Sequence, residues 1–212
     1  MELAKNCAVQ LLKINAIKLR ASQPFTWASG LKSPIYCDNR KTLSYPVVRT
    51  AIGDGLAKMV KTHYPDVEVI AGVATGAIAQ GALVAERMNL PFVYVRNEEK
   101  KHGLTNIVEG VVNAKQKVVV IEDLVSTGQS SLKAVQALRD IGCDVLGMVA
   151  IFTYNFLIAQ QRFEEKNVSL HTLTNYPILV QVAALEGYIE MKEMKILNCW
   201  SEDPAAWSEQ FK

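Results

Sequence analysis

Two adjacent carboxylates, Glu122 and Asp123, close an apolar run and stand directly before a loop rich in hydroxyl groups. The apolar run, 118–121, is Val-Val-Val-Ile, and consecutive β-branched residues are typical of a strand buried in a parallel sheet. The loop, 126–130, is Ser-Thr-Gly-Gln-Ser, and its Gly128 permits a positive φ and close approach of the backbone to a ligand. Backbone N–H groups at the start of a helix bind phosphate. The pattern therefore predicts a phosphate on the loop, with hydroxyls or a cation on the two acids.

The elements that must position these residues alternate between strand and helix, which predicts a parallel sheet with helices on both faces. Ligands of such sheets bind beyond the carboxyl ends of the strands, where the two acids are expected. Strands are predicted at 67–73, 91–96, 117–123, 144–151 and 168–173, the last at an edge. Helices are predicted at 2–20, 44–62, 76–88, after 130, at 176–185 and around Ala205, with Trp200 and Trp207 packing back on the domain.

A second group of candidate residues is the charged run 96–103, which leaves the carboxyl end of a predicted strand. Taken alone, such a run is usually a solvated turn. Here it brings Arg96, Lys100 and His102 to the sheet edge that carries the phosphate loop, where a pyrophosphate needs cations. The whole segment 97–110 is long and polar, so we predict a loop or hairpin that serves as a lid.

Two other segments are informative only beside these. Segment 25–38 contains Ser-Gly-Leu-Lys-Ser-Pro between aromatic residues, and alone it is a loop with core aromatics. Segment 71–77, Ala-Gly-Val-Ala-Thr-Gly-Ala, follows a predicted strand and opens a helix. A turn with two glycines is weak evidence by itself.

The residues 118–130 resemble the phosphoribosyl-pyrophosphate signature of the type I phosphoribosyltransferases. Segments 25–38 and 96–103 resemble the base-covering hood and the mobile catalytic loop of the orotate branch of that family, and 71–77 resembles its pyrophosphate loop. The resemblance covers most of the chain from Phe25 onward. It implies the type I phosphoribosyltransferase fold, α/β with a central mostly parallel sheet flanked by helices, an N-terminal hood and a flexible catalytic loop.

The resemblance implies transfer of the ribose 5-phosphate group of phosphoribosyl pyrophosphate to orotate, which gives orotidine 5′-monophosphate and pyrophosphate in de novo pyrimidine (UMP) biosynthesis. It also implies Mg²⁺ as cofactor, held on diphosphate and ribose oxygens with no protein ligand assigned. A homodimer is implied, with the mobile loop 97–110 acting in trans. One domain is expected over 1–212, with the N-terminal helix and hood in 1–43.

Residue roles follow from the same resemblance, position by position. Catalytic roles fall to Lys100, His102 and Asp123. Orotate binding falls to Ser126, Ile35 and Tyr36. Phosphoribosyl pyrophosphate binding falls to Arg96, Lys100, His102, Glu122, Asp123, Leu124, Val125, Ser126, Thr127, Gly128, Gln129, Ser130 and Thr75.

The chain departs from other members of the family at four positions in or near these segments. Asn97, Thr75 and Ala28 each stand where some members carry Lys. Tyr154 stands where several bacterial members place an Arg that contacts the base. Each departure removes a cation that other branches bring to the substrates.

Composition narrows the function classes. The 212 residues are half hydrophobic and carry a net charge of +2, which gives no basic stripe for a nucleic acid. No apolar run approaches the length of a membrane span, and charged residues interrupt the N-terminal apolar residues, so neither a membrane nor a signal peptide is expected. Four cysteines without a CxxC pair favour buried or incidental thiols in a reducing cytosol, hence a cytoplasmic protein.

Two alternatives stay open from the sequence. The first is a phosphoribosyltransferase that acts on a purine base, because the signature 118–130 concerns only the sugar phosphate. The second is a ligand-sensing regulator built on the same fold that binds RNA or DNA, against which the nearly balanced charge argues. A P-loop nucleotide enzyme is excluded, because no strand is followed by GxxxxGK[ST].

Overall fold

The computed structural model describes residues 2–27, 29–96 and 107–211. Its N-terminal part is a helix followed by two short antiparallel strand pairs, β1 with β4 and β2 with β3. These elements are α1 (Glu2–Lys13), β1 (Ile17–Leu19), β2 (Phe25–Thr26), β3 (Lys32–Ser33), β4 (Ile35–Cys37) and a 3-10 helix (Asn39–Ser44). We call β2 to β4 the hood.

The first helix is shorter than the sequence predicts, and the prediction of a helix over 2–20 is wrong for residues 14–20. It ends at Lys13, and Asn15 just beyond it adopts the left-handed conformation, with φ 53°. Asn tolerates that conformation and commonly ends a helix. Ile17–Leu19 then forms β1, so these apolar residues, which continue the helical pattern in the sequence, pair with the hood instead.

The rest of the chain alternates between helix and strand, as predicted. Strand β8 runs two residues farther than expected, so Glu122 and Asp123 lie inside it rather than at its end. The helices are α2 (Pro46–His63), α3 (Ile78–Met88), α4 (Gln129–Asp140), α5 (Leu157–Glu165), α6 (Tyr176–Leu185), α7 (Met191–Glu202) and α8 (Pro204–Glu209). The strands are β5 (Val69–Val73), β6 (Phe92–Val95), β7 (Val108–Glu109), β8 (Lys117–Val125), β9 (Asp144–Thr153) and β10 (Leu170–Asn175).

The central sheet has the strand order β10-β9-β8-β5-β6-β7 over the described ranges. Strands β10, β9, β8, β5 and β6 are parallel to one another, and β7 is antiparallel to β6. The mostly parallel sheet flanked by helices is thereby confirmed. From β5 the chain adds β6 on one side, whereas β8 and its successors lie on the other. Such a reversal of strand order leaves a crevice beyond the carboxyl ends of β5 and β8, which is the preferred ligand site of open α/β sheets.

Strand β8 is buried on both faces, as its β-branched residues predict. Val119 and Ile121 pack into the core beneath α1, α2 and α6, whereas Val118 and Val120 pack into the core beneath α4. All four side chains are fully enclosed. Because both cores hold this strand, the two acids that it carries have a rigid support.

The C-terminal helices pack on the hood, which confirms that Trp200 and Trp207 fold back on the domain. The Trp200 ring lies 5.7 Å from Trp27 and 5.7 Å from Tyr154, between centroids. The Lys32 N–H donates to the Ser208 hydroxyl at 2.8 Å. Helices α7 and α8 therefore fix the hood over the sheet edge. None of the described helices has both the length and the apolarity needed to cross a membrane.

We expect Trp200→Ala to lower the free energy of unfolding by about 3 to 5 kcal/mol, because it leaves a cavity among packed aromatic rings. Cys199→Ala changes the preceding, exposed residue of α7 and is the matched control. Urea unfolding followed by circular dichroism measures both variants. Equal midpoints for the two variants would contradict the central role of this aromatic cluster.

Candidate active site

The predicted phosphate loop lies between β8 and α4, at the crevice. Gly128 has φ 76° and caps α4, and a Cβ there would also press on the Phe163 ring. Ser126 is half-buried, whereas Thr127, Gln129 and Ser130 are exposed. The loop thus presents hydroxyls and the first N–H groups of a 12-residue helix to solvent, an arrangement suited to phosphate.

Arg162 braces this loop from α5, a role that no pattern in the sequence indicates. Its Nη1 donates to the Thr127 carbonyl at 2.9 Å. The carbonyl is thereby turned away from an incoming anion, and a positive charge stands behind the loop. Only the packing of α5 against α4 reveals this residue, because it is distant in sequence.

The two acids have different surroundings. Glu122 is 4% exposed, and its carboxylate accepts from the Ser131 hydroxyl at 2.9 Å and from the Asp123 N–H at 3.0 Å. Burial, and then the charge of Asp123, raise the pKa of Glu122 well above its usual range. Asp123 is only partly buried and faces the crevice. Asp123 is therefore the more accessible carboxylate for ligand hydroxyls.

The loop after β5 lies against Asp123. The Ala74–Thr75 peptide bond is cis, Thr75 is exposed, and the Ala74 N–H donates to the Val95 carbonyl at 2.8 Å. A Cβ at Gly76 would overlap the Asp123 carboxylate, so only glycine allows this approach. The predicted pyrophosphate loop and the predicted ribose-binding acid are thus in direct contact.

One cavity of about 380 Å³ joins three segments that are far apart in sequence. They are the end of the hood with the 3-10 helix that follows it, the loop after β5, and the end of β8 with the start of α4. Its lining consists of Cys37, Asp38, Arg40, Val73, Ala74, Thr75, Gly76, Glu122, Asp123, Leu124 and Ser130.

The hood side of this cavity holds residues that the sequence did not single out. Asn39 is 1% exposed and donates from Nδ2 to the Asp123 carbonyl at 2.6 Å. Arg40 donates from Nε to Asp38 at 2.7 Å, and this hydrogen bond lowers the pKa of the Asp38 carboxyl. Burial, and then the charges of Asp123 and Asp38, raise the pKa of Cys37, which keeps it a neutral thiol. A Cys37 nucleophile is therefore disfavoured.

Some predicted ligand residues are reached only through their main chain. The Ile35 side chain is fully enclosed in the core, and its carbonyl accepts from Trp27 Nε1 at 3.0 Å. Val125 is also fully enclosed. Tyr36, by contrast, is 40% exposed and can present its ring to a ligand. Tyr154 is buried beneath the hood among aromatic rings, 5.4 Å from Trp27 between centroids.

The structure describes the charged segment that begins at Arg96 only at Arg96 and from Ile107 onward. Arg96 follows β6 at the same sheet edge, and its Nη1 lies 3.6 Å from a Glu109 carboxylate oxygen. The Arg96 N–H donates to the Ile107 carbonyl at 2.8 Å, where the chain returns into β7. Lys100 and His102, with Asn97 and Gly103, lie outside the described residues, so their roles stay predictions.

Comparisons with known proteins agree with this geometry. Residues 48–186 match the phosphoribosyl transferase domain family. The chain is 57% identical over 200 residues to the orotate phosphoribosyltransferase of Bacteroides fragilis, covering 94% of each chain. The crystal structure of orotate phosphoribosyltransferase from Aeropyrum pernix has a TM-score of 0.74 at 28% identity, over 86% of this chain and 98% of that one. Leishmania donovani UMP synthase shares the fold, with a TM-score of 0.79 at 23% identity over 93% of this chain, which spans 42% of that longer protein.

The fold, the crevice and the domain match define a phosphoribosyltransferase of type I architecture. Within that class, the chain belongs to the orotate phosphoribosyltransferase family. The resemblance seen in segments 25–38, 96–103 and 118–130 is thereby confirmed at the level of family and enzyme class.

We expect Glu122→Gln to raise the free energy of unfolding of the ligand-free protein by about 1 to 3 kcal/mol at pH 8. The folded protein raises the pKa of this carboxyl, so its contribution to stability is present below the unfolded pKa and is lost as the pH rises through the folded pKa. The gain should therefore shrink as the pH falls from 8 toward 5. The Gln amide can still pair with Ser131.

Urea unfolding at pH 5, 6.5 and 8 measures this difference. Glu86→Gln, which changes an exposed carboxylate of α3, is the matched control. A Glu122→Gln variant less stable than the unmodified protein at pH 8 would show that the buried carboxylate is not a source of strain.

Proposed function

We propose that this protein transfers the ribose 5-phosphate group of phosphoribosyl pyrophosphate to orotate, giving orotidine 5′-monophosphate and pyrophosphate, a step of UMP synthesis. The carrying observation is the single cavity in which Thr75, Asp123 and Ser130 meet beside the hood. A sugar that carries a phosphate at one end and a diphosphate at the other matches that lining. The 57% identity to a protein named orotate phosphoribosyltransferase supports the choice of base.

The donor is held at both ends. Ser126 to Ser130 bind the 5′-phosphate, and Asp123 with Glu122 accepts hydrogen bonds from the ribose hydroxyls. Displacement at the anomeric carbon passes through an oxocarbenium-like state, and the Asp123 carboxylate places negative charge near that developing positive charge. Binding energy from the remote phosphate orients the reacting carbon for attack.

Departure of the pyrophosphate requires positive charge near the leaving group and exclusion of water from the site. Arg96, Lys100 and His102 provide the charge as electrons move to the leaving group. Closure of the loop 97–110 excludes water, which would otherwise hydrolyse the donor. Orotate brings its own ionised nitrogen, so the protein needs no general base, and His102 acts electrostatically.

Mg²⁺ fits this cavity as an ion carried by the donor. Among the described residues, no group of three or more His, Cys, Asp or Glu is arranged to hold a metal ion. Mg²⁺ commonly binds through one or two carboxylates together with substrate phosphates and water, and Asp123 offers such a carboxylate at the cavity wall. When bound, the ion neutralises part of the charge on the diphosphate.

The base lies under the hood. Tyr36 is the predicted side chain there that is exposed, and Ser126 stands at the start of the phosphate loop. Ile35 shapes the hood through its carbonyl, which Trp27 and Ser33 both hold. Tyr154, which stands where several other members place a cation, packs among aromatic rings beneath the hood.

We also propose a homodimer in which the loop 97–110 of one subunit completes the site of the other. The cytoplasm is the proposed location, and the four cysteines are all free of disulfides. Binding of nucleic acid or of a membrane is not part of this proposal.

The proposed reaction is tested by following orotate consumption through ultraviolet absorbance, with phosphoribosyl pyrophosphate and Mg²⁺ present. Adenine, hypoxanthine and uracil run in parallel. We expect consumption of orotate alone, dependent on Mg²⁺. Activity with another base only would overturn the base assignment and keep the donor site. Donor binding without turnover of any base would favour a ligand-sensing regulator.

The trans-acting loop is tested with two impaired variants. Lys100→Ala should lower kcat by at least about a hundredfold because it removes charge that stabilises the leaving group. Asp123→Asn should be similarly impaired because it removes the ribose anchor. If the loop acts in trans, a purified heterodimer of the two variants contains one site with both native residues and recovers about half of the native activity.

The heterodimer is prepared by co-expression with two different affinity tags, and the two variant homodimers are the controls. A heterodimer no more active than these homodimers would place the loop in its own subunit's site. Native activity in the Lys100→Ala homodimer would remove Lys100 from the mechanism.

A further inference from the structure

Arg40 stands on the 3-10 helix behind the hood and lines the same cavity as Thr75 and Asp123. Its side chain is 61% exposed. Asp38 accepts from its Nε at 2.7 Å, and Nη1 and Nη2 have no acceptor among the described residues. The guanidinium is thus held on one edge and open on the other, where a planar fork binds phosphate oxygens in pairs.

The backbone that carries Arg40 is tied to the strand and the helix that adjoin the two predicted donor-binding loops. Asn39 donates to the Asp123 carbonyl at 2.6 Å, which fixes the 3-10 helix to β8. Thr42 accepts from Gln80 Nε2 at 3.0 Å, and Gln80 belongs to the helix that follows the loop 74–77. Asn39, Thr42 and Gln80 are all buried. The main chain at Arg40 therefore keeps a constant position relative to Thr75 and Asp123.

The charges that line the cavity indicate why a cation is needed there. Its described lining contains the carboxylates of Asp38, Glu122 and Asp123, and Arg40 is the cation among these lining residues. Thr75 supplies a hydroxyl and no charge to the predicted pyrophosphate loop. A diphosphate entering between Thr75 and Asp123 meets the accessible carboxylate of Asp123, so a cation there offsets the repulsion.

We propose that Arg40 is a diphosphate-binding residue that holds the pyrophosphate end of the donor, and the pyrophosphate product, against the loop 74–77. This inference rests on the proposed function for its substrate, since it names a further residue of the same site. It assigns to the 3-10 helix a charge that the loop after β5 lacks.

The test compares Arg40→Gln and Arg40→Lys with the matched control Lys41→Met. Lys41 belongs to the same 3-10 helix, but its Nζ donates to the Asn15 carbonyl at 3.2 Å, and it is not among the residues that line the cavity. For Arg40→Gln we expect KM for phosphoribosyl pyrophosphate to rise about tenfold or more, because the variant loses a charge-assisted contact. KM for orotate should stay within about twofold. KM for phosphoribosyl pyrophosphate in Arg40→Lys should lie between those of the unmodified protein and Arg40→Gln, because lysine keeps the charge and loses the planar fork.

A second measurement does not depend on turnover. Calorimetric titration with inorganic pyrophosphate and Mg²⁺ should show affinity weakened about tenfold or more in Arg40→Gln and unchanged in Lys41→Met. Failure of the unmodified protein to consume orotate would sink the proposed reaction, while the titration would still decide the role of Arg40.

Two outcomes would overturn the inference. A rise in KM for orotate with unchanged pyrophosphate affinity would assign Arg40 to the base. Unchanged KM for both substrates, together with unchanged pyrophosphate affinity, would show that Arg40 only forms a surface ion pair with Asp38. Circular dichroism of each variant establishes that the fold is retained.

Discussion

The structure depends most on holding two adjacent carboxylates within a strand that is buried on both faces. Removing Glu122 from water is costly, and the nearby charge of Asp123 adds to that cost. The protein offsets it with the Ser131 hydroxyl and the Asp123 N–H, and by pairing β8 with β5 and β9. The result is a pair of acids whose positions are fixed before any ligand arrives. Such preorganisation favours catalysis because the site need not rearrange as charge develops.

The hood adds a constraint of a different kind, because both ends of the chain build it. Lys32 in β3 and Ser208 in α8 are 176 residues apart and share a hydrogen bond. Trp27 reaches Trp200 and Tyr154 and also donates to the Ile35 carbonyl. The shape of the proposed base site therefore depends on the C-terminal helices, even though none of their residues lines the cavity. Changes in α7 or α8 should reach the base through the position of the hood.

The sequence predicts those features that depend on local pattern. Burial of β8, the mostly parallel sheet and the loop at Gly128 follow from residue types and spacing, and the structure has each of them. It did not predict that the first helix ends at Lys13, because Ile17–Leu19 continues the helical pattern and only its partner strand β4 makes it a strand. It also ended β8 too early, since two acids in sequence suggest a loop.

Residues whose roles depend on distant contacts were missed for the same reason. Asp38-Asn39-Arg40 reads as a polar turn, and no local signal shows that Asn39 bonds to β8, 84 residues away. Arg162 is recognisable only once α5 is placed beside the phosphate loop. The roles of the cations in the segment 97–106 remain predictions from the sequence. What sequence reasoning lacks here is the long-range hydrogen bond, not the chemistry of the side chains.

With Arg40 assigned to the diphosphate, the positive charge of the proposed site falls into two groups. Arg40 is tied through Asn39 to the strand that bears the acids, so its charge is present in the open site. Lys100 and His102 belong to the segment proposed to close over the donor. Charge that is always present binds ground state and transition state alike, whereas charge that arrives on closure can favour the transition state. A cation anchored on the strand that bears the acids therefore suits capture of the donor, and cations on the segment proposed to close suit the departure of pyrophosphate. This division explains how a chain with Thr75 and Asn97 in place of lysines can still meet both electrostatic demands.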